Sequence, residues 1–301
     1  MDRLEAMSIF IAAVETGSFS AASRRLRIPL ATVSRRVSEL EDHLKVRLLV
    51  RGSRKLTLTQ AGDAYLSSCR RALEYIAEAE RDATGEYQTP RGELTLSVPQ
   101  VLGRVHVMPV VAEFLREYPD IRVRVQLTDR KINLGEESID LALRVGDLPD
   151  SSMIALRAGS FGQVVCASPS YFDGRGMPER PVELVRHACI GYEGLALGTT
   201  WQFGAGKTRE TVTVPCPLVV NSIEAALSAA VAGAGVACVL SYLVDEPVRS
   251  NKLVTVLNDF APPAIPVSFI YPSQRQVPLK LRAFLDFAIP RMKDRLRYGT
   301  R

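Results

Sequence analysis

Between Gly17 and Gln60 the chain reads GSFSAASRRLRIPLATVSRRVSELEDHLKVRLLVRGSRKLTLTQ, two short helical patterns around a tight break and then a basic hairpin. Few folds accept that order. In helix-turn-helix geometry the second helix must stand clear of the first to enter a DNA major groove, and this spacing allows it. Upstream, Leu4, Met7, Phe10 and Val14 recur three or four apart, so a first helix with that face inward is expected. Gly17 ends it, and Ser18 or Ser20 can cap a second helix whose inner face is Phe19, Ala22 and Leu26. Ile28-Pro29 makes the break, proline being tolerated in a first helical turn. A third helix turns Val33, Val37, Leu40 and Leu44 inward.

The opposite side of that third helix presents Thr32, Ser34, Arg35, Arg36 and Ser38, hydroxyls and guanidinium groups that suit base edges and phosphates. Glu39, Glu41 and Asp42 follow and would repel DNA, so the N-terminal half is expected to enter the groove. Leu48-Leu49-Val50 and Leu56-Thr57-Leu58 then flank Arg51-Gly52-Ser53-Arg54-Lys55, two short strands with a basic tip, a wing suited to backbone or minor-groove contact with DNA. Charge agrees with this reading. Residues 1–60 hold 11 Lys/Arg against 6 Asp/Glu, while the other 241 hold 27 of each sign. The net +5 is therefore confined to the segment that would meet phosphates.

From Gln60 to about Tyr87 a proline-free helix is expected, with Tyr65, Cys69, Ala72, Ile76, Ala79 and Ala83 alternating by four and three. About 27 residues at ~1.5 Å each make a rod of roughly 40 Å. Small residues on the stripe would let two such rods approach closely, so a dimer through it is expected, packing on its own domain being the alternative. Thr89-Pro90-Arg91-Gly92 is a linker. Beyond it, strands at 94–98, 121–127, 140–145, 163–168, 188–192, 236–240 and 267–271 alternate with helices near 105–118, 132–137, 182–187, 222–232 and 279–295. A hairpin is expected around Gly204–Lys207. This rhythm implies α/β units around mostly parallel sheets, with a ligand cleft between two of them.

Several functions find no support. Ala225 to Val244 is 20 residues without a charge, but a G-A-G divides it, and a helix followed by the strand VACVL explains it better than a membrane span. The opening MDRLEAMSIF is no secretory signal, and five scattered cysteines without C-x-x-C read as reduced thiols of a cytosolic protein. Gly206-Lys207-Thr208 lacks the first glycine of a phosphate-binding loop, where Trp201 stands. His43, His106 and His187 have no metal-ligand spacing, and no nucleophile elbow occurs, so neither metal, cofactor nor enzyme activity is expected.

GSFSAASRRL, ATVSRRVSELEDHL, RLLVR and LTLTQAG, in that order, resemble the N-terminal signature of LysR-type transcriptional regulators. DRKINLGEESIDLALRVGDL, NSIEAALSAAVAGAGVACVLSYLV and YPSQRQVPLKLRAFLDF resemble the sensor domain of the same family. The resemblance implies an α/β chain in three parts: a winged helix-turn-helix over 1–59, a dimerising linker helix over 60–88 and an effector-binding domain over 92–301. The last resembles a periplasmic binding protein, with one subdomain over about 92–160 and 267–301 and another over about 161–266. It further implies a cytoplasmic regulator that binds double-stranded promoter DNA as a dimer or tetramer, works with RNA polymerase and responds to a small metabolite.

By position, Ser18, Ser20, Thr32, Ser34, Arg35 and Arg36 would face DNA, and Arg51, Arg54 and Lys55 the wing phosphates. Pro99, Gln100, Leu102, Asp129, Arg130, Arg144, Asn221 and Ser222 would line the effector cleft, where the arginines and the helix start at Ser222 favour an anion. Pro29-Leu30 stands where the family often has a polar residue and Gln, and Lys45 where it commonly has Gly. A transport-type solute-binding protein, or an enzyme with an accessory DNA-binding-like domain, are the competing readings.

Overall fold

A computed structural model describes residues 2–51, 56–84, 89–130, 134, 139–148, 152–194, 198–273 and 277–296. Helices α1 (Arg3–Thr16), α2 (Phe19–Leu26) and α3 (Leu30–Leu44) pack around one small core. Asp2 caps α1 through the amides of Leu4 and Glu5, and Gly17 ends it at φ 72°. The buried face of α1 is Ala6, Ile9, Phe10, Ala12 and Ala13, whereas Leu4 is 43% exposed. The expected face was rotated because three alanines, weak as a hydrophobic signal, are what let α2 and α3 approach α1 closely. Ser18 caps α2 by accepting from the Ala21 amide. Pro29 takes the position before α3. Without glycine, Lys45 itself adopts the left-handed conformation (φ 54°) that ends α3.

Strands β1 (Leu49–Arg51) and β2 (Leu56–Leu58) pair antiparallel, Leu49 opposite Leu58, and form the wing. Helix α4 (Gln60–Thr84) follows. Cys69 is buried, and the Tyr65 ring lies 5.9 Å from that of Phe10. The first turns of the heptad stripe are thus used within the chain, on α1.

The sensor begins with β3 (Gly92–Val98), and α5 (Gln100–Leu102), a π-helical turn (Gly103–Val107) and α6 (Met108–Glu117) run on without a break. Next come β4 (Ile121–Leu127), β5 (Leu141–Val145) and β6 (Met153–Phe161). The helix expected near 132–137 lies outside the described residues except for the buried Leu134. The second sheet then starts with β7 (Gln163–Ala167), followed by α7 (Pro169–Phe172), a 3-10 turn (Pro181–Arg186) and β8 (Cys189–Tyr192). The hairpin of β9 (Thr200–Phe203) and β10 (Glu210–Thr213) precedes β11 (Leu218–Val220), α8 (Ile223–Val231) and β12 (Val236–Leu240). Helix α9 (Asp245–Arg249) and β13 (Val254–Val256) complete that lobe, and β14 (Ile265–Pro272) and α10 (Leu279–Arg295) return to the first.

Sheet order is β4-β3-β5-β14-β6 in one lobe and β11-β8-β12-β7-β13 in the other. Both sheets are mixed rather than mostly parallel. β4, β3 and β5 run parallel, while β14 pairs antiparallel with β5 and β6. The second sheet repeats this, with β11, β8 and β12 parallel and β7 antiparallel to β12 and β13. The strand that follows each crossing, β7 or β14, runs antiparallel to its neighbours, which alternation of strands and helices along the chain does not reveal. β6 and β13, neither foreseen, are the elements at those crossings. Ser241 holds one crossing in place: its amide donates to the Gly162 carbonyl (2.8 Å) and its Oγ accepts from the Gly162 amide (3.0 Å). The uncharged stretch from Ala225 divides into α8 and the fully buried β12. No single helix among the described residues is long and apolar enough to cross a membrane.

Candidate DNA interface and effector cavity

On α3, Val33, Val37 and Leu40 are fully buried and fix which side faces outward. That side holds Thr32, Ser34 and Arg35, whose side chain is 61% exposed and pairs with Glu39 one turn later at 3.3 Å. Arg36 differs. It is 22% exposed and spans Glu5 (3.0 Å) and Glu39 (3.1 Å), so it ties α3 to α1. Ser20 is exposed on α2, whereas the Ser18 hydroxyl is occupied in capping. Arg54 and Lys55, and the side chain of Arg51, lie outside the described residues.

Glu41 is no surface acid. It is 2% exposed, and Oε1 accepts from the amides of Leu48 (2.8 Å) and Leu49 (3.0 Å) while Arg47 pairs with Oε2 at 3.2 Å. A buried carboxylate thereby fastens the first wing strand to the end of α3. Sequence spacing did not expose this, because the amides it satisfies lie beyond the helix that carries it.

A cavity of about 310 Å³ opens between the lobes, at the C-terminal ends of strands of both sheets. Pro99, Leu102, Asp129, Arg130 and Arg144 reach it from the first lobe. Gln100, Asn221 and Ser222 are not part of its lining. The Gln100 amide donates to Asp129 Oδ1 (3.1 Å), orienting that carboxylate, and Ser222 Oγ caps α8 through the Ala225 amide (3.4 Å). Glu224 follows in the first turn of α8, so a carboxylate already meets the positive helix end expected to hold an anion. Glu224 also pairs with Arg104 of the π turn and so links the two lobes. Arg144 donates from Nη1 to the Leu143 carbonyl (3.1 Å), a framework contact at the cavity wall.

Tyr192 and Tyr242 were missed by sequence reasoning and face the cavity from the second lobe. Tyr192 is the last residue of β8 and Tyr242 lies two residues beyond β12, and an aromatic residue at or just past a strand's C-terminal end was the available signal. Burial, then the Asp129 carboxylate, raises the Tyr192 phenol. Burial, then Tyr192 and Asp129, raises that of Tyr242. Phe161, also in the lining, packs on Tyr242 (ring centroids 5.2 Å apart), and His106 meets the same ring edge-on (4.9 Å). The result is an apolar, aromatic cleft with a few convergent polar groups, suited to holding a small molecule.

A winged helix-turn-helix joined by a long helix to a two-lobed sensor defines a ligand-responsive DNA-binding regulator. Comparison with known proteins makes the assignment specific. The LysR substrate binding domain matches residues 87–293, and the bacterial regulatory helix-turn-helix of the lysR family matches residues 4–63. The chain belongs to the LysR family of transcriptional regulators. An uncharacterized HTH-type transcriptional regulator of Haemophilus influenzae is 32% identical over 281 residues, covering 93% of this chain and 98% of that one. The regulator CrgA of Neisseria meningitidis serogroup B is 33% identical over 296 residues, covering 97% and 98%. The solved structure of Neisseria meningitidis CrgA aligns with TM-score 0.61 at 32% identity, over 96% of this chain and 98% of that one. Full-length AphB of Vibrio cholerae aligns with TM-score 0.61 at 30% identity, over 95% and 98%. The chain is thus a transcription regulator, not an enzyme, with a DNA-binding domain and a domain for small-molecule effectors.

Proposed function

We propose that Thr32, Ser34 and Arg35 read or grip DNA from the outward side of α3, with Ser20 and the wing's Arg51, Arg54 and Lys55 on the phosphates. The observation that carries this is the outward, exposed position of Arg35 on the module that holds the chain's whole net charge. Ser18 and Arg36 act indirectly, by holding α2 and α3 in place. A small effector occupies the cavity between the lobes, against Pro99, Leu102, Asp129, Arg130, Arg144, Tyr192 and Tyr242. Its apolar body meets the aromatic wall and its polar end the first lobe. Ligand bound there changes how DNA is held.

The chain works in the cytoplasm as a dimer through α4 beyond Cys69, dimers pair into tetramers, and RNA polymerase is the further partner. A mobility shift on DNA from upstream of its own gene, repeated across a salt series, tests the first part. Counterion release makes affinity fall steeply with salt, and binding that ignores salt refutes it. A thermal-shift screen of metabolites tests the second, since a ligand bound only by the folded sensor raises its melting temperature.

A further inference from the structure

Two ion-pair systems meet one face of α4, one helical turn apart. Arg70 pairs with Glu15 at 3.1 Å, and Glu15 pairs with Arg25 of α2 at 2.7 Å, so this turn of α4 is held by the DNA-binding module. At Glu15 burial favours the neutral acid, but hydrogen bonds from Arg25 and Arg70 outweigh it and keep the carboxyl below its ordinary range. At the next turn Glu74 pairs with Lys280 at 2.7 Å. Lys280 belongs to the first turn of α10, is 8% exposed, and also donates to the Glu93 carbonyl at 2.6 Å.

The slot that receives Glu74 is built for it. Gly92, at φ 114°, lies where any added Cβ would collide with the Glu74 carboxylate. The positive φ disfavours a side chain there, and a Cβ would in addition displace the Glu74 carboxylate from Lys280. Gly92 and Glu93 open β3, and Pro99, at its other end, lines the effector cavity. Seven residues at ~3.3 Å each separate slot from cavity by roughly 20 Å along one strand. The π turn beside the cavity packs on α10, which carries Lys280. Cavity and slot are thus attached to the same strand and the same helix.

We propose that Glu74 and Lys280 form an intrachain latch that seats the linker helix on the sensor. With Arg70, Glu15 and Arg25 it makes a charged relay from sensor to DNA-binding module. The latch positions the helix-turn-helix relative to the sensor, so a shift of β3 or α10 on effector binding is passed to α2 through five named side chains. Neither Glu74 nor Lys280 lines the cavity between the lobes or lies on the outward side of α3.

Hydrogen exchange read by mass spectrometry on the full-length protein tests the proposal. Glu74→Gln removes the charge and leaves Lys280 its bond to the Glu93 carbonyl. Exchange across residues 66–76 and at the start of β3 is expected to rise about tenfold, while β12 and the α1–α3 core keep wild-type rates. Lys280→Met gives the same local effect, and Lys280→Arg, which keeps the pair, exchanges as wild type. The DNase footprint on upstream DNA changes with Glu74→Gln and not with Lys280→Arg. Wild-type exchange in α4 of the Glu74→Gln protein overturns the latch, and so does a rise spread evenly over all domains. If Lys280→Met does not fold, the Glu74→Gln result decides alone.

Discussion

His106 offers the sharpest quantitative test of the fold's energetics. It sits in the π turn at 8% exposure, edge-on to Tyr242, and neither ring nitrogen has a hydrogen-bond partner among the described residues. Burial, then the Arg295 guanidinium of α10, pushes its pKa down to about 4, against a smaller opposing pull from Asp245 of α9. The folded protein therefore holds this imidazole neutral, while the unfolded chain protonates it near pH 6.5. Below that pH the unfolded state binds the extra proton, so stability is complete above 6.5 and declines as pH falls toward about 4. By pH 5 the loss through this one residue is about 2 kcal/mol.

Urea unfolding followed by the fluorescence of Trp201, the single tryptophan, measures it. Trp201 is 1% exposed in the lobe that supplies Tyr242. Wild type and His106→Leu should be within about 1 kcal/mol of each other at pH 8, because the leucine loses ring contacts but leaves no unsatisfied nitrogen. Between pH 8 and pH 5 wild type should lose about 2 kcal/mol more than the variant. Parallel stability curves over that range would refute the argument, since they would mean that the native state accommodates the charged ring.

Other outcomes follow from the same structure. Arg35→Ala should weaken DNA binding and lower the salt slope by about one, leaving sensor melting unchanged; unchanged binding at matched salt places Arg35 off the interface. Glu41→Ala strands two buried amides and should destabilise the winged domain by about 2–4 kcal/mol, visible as a lower-temperature first transition in calorimetry. Ser222→Ala should cost the sensor about 1 kcal/mol as a lost helix cap. A melting temperature equal to wild type would show that the 3.4 Å contact contributes nothing.

What the sequence determined by itself were features encoded within a few residues of one another. The 3.6-residue spacing of Val33, Val37 and Leu40 set the buried side of α3, and thereby the outward side that carries Arg35. Gly17 and Ser18 marked the break between α1 and α2 through left-handed geometry and capping, both local effects. The exclusion of charge from Ala225 to Val244 and the intervening glycines gave α8 and β12 without reference to any neighbour. Only the tertiary structure decided what depended on partners far along the chain. The direction of β7 and β14, the strands after the crossings between lobes, shows only in their antiparallel pairing with strands far along the chain. The fate of Glu41 depends on amides of the wing, and the slot for Glu74 is made by Gly92 and Lys280. The cavity between the lobes belongs to the second class. Pro99 and Asp129 could be placed by position, but Tyr192 and Tyr242 join them only because two separate sheets turn the ends of their strands toward one another. A charged or aromatic side chain takes its role from the groups that desolvate and pair it, and those groups are chosen by the fold.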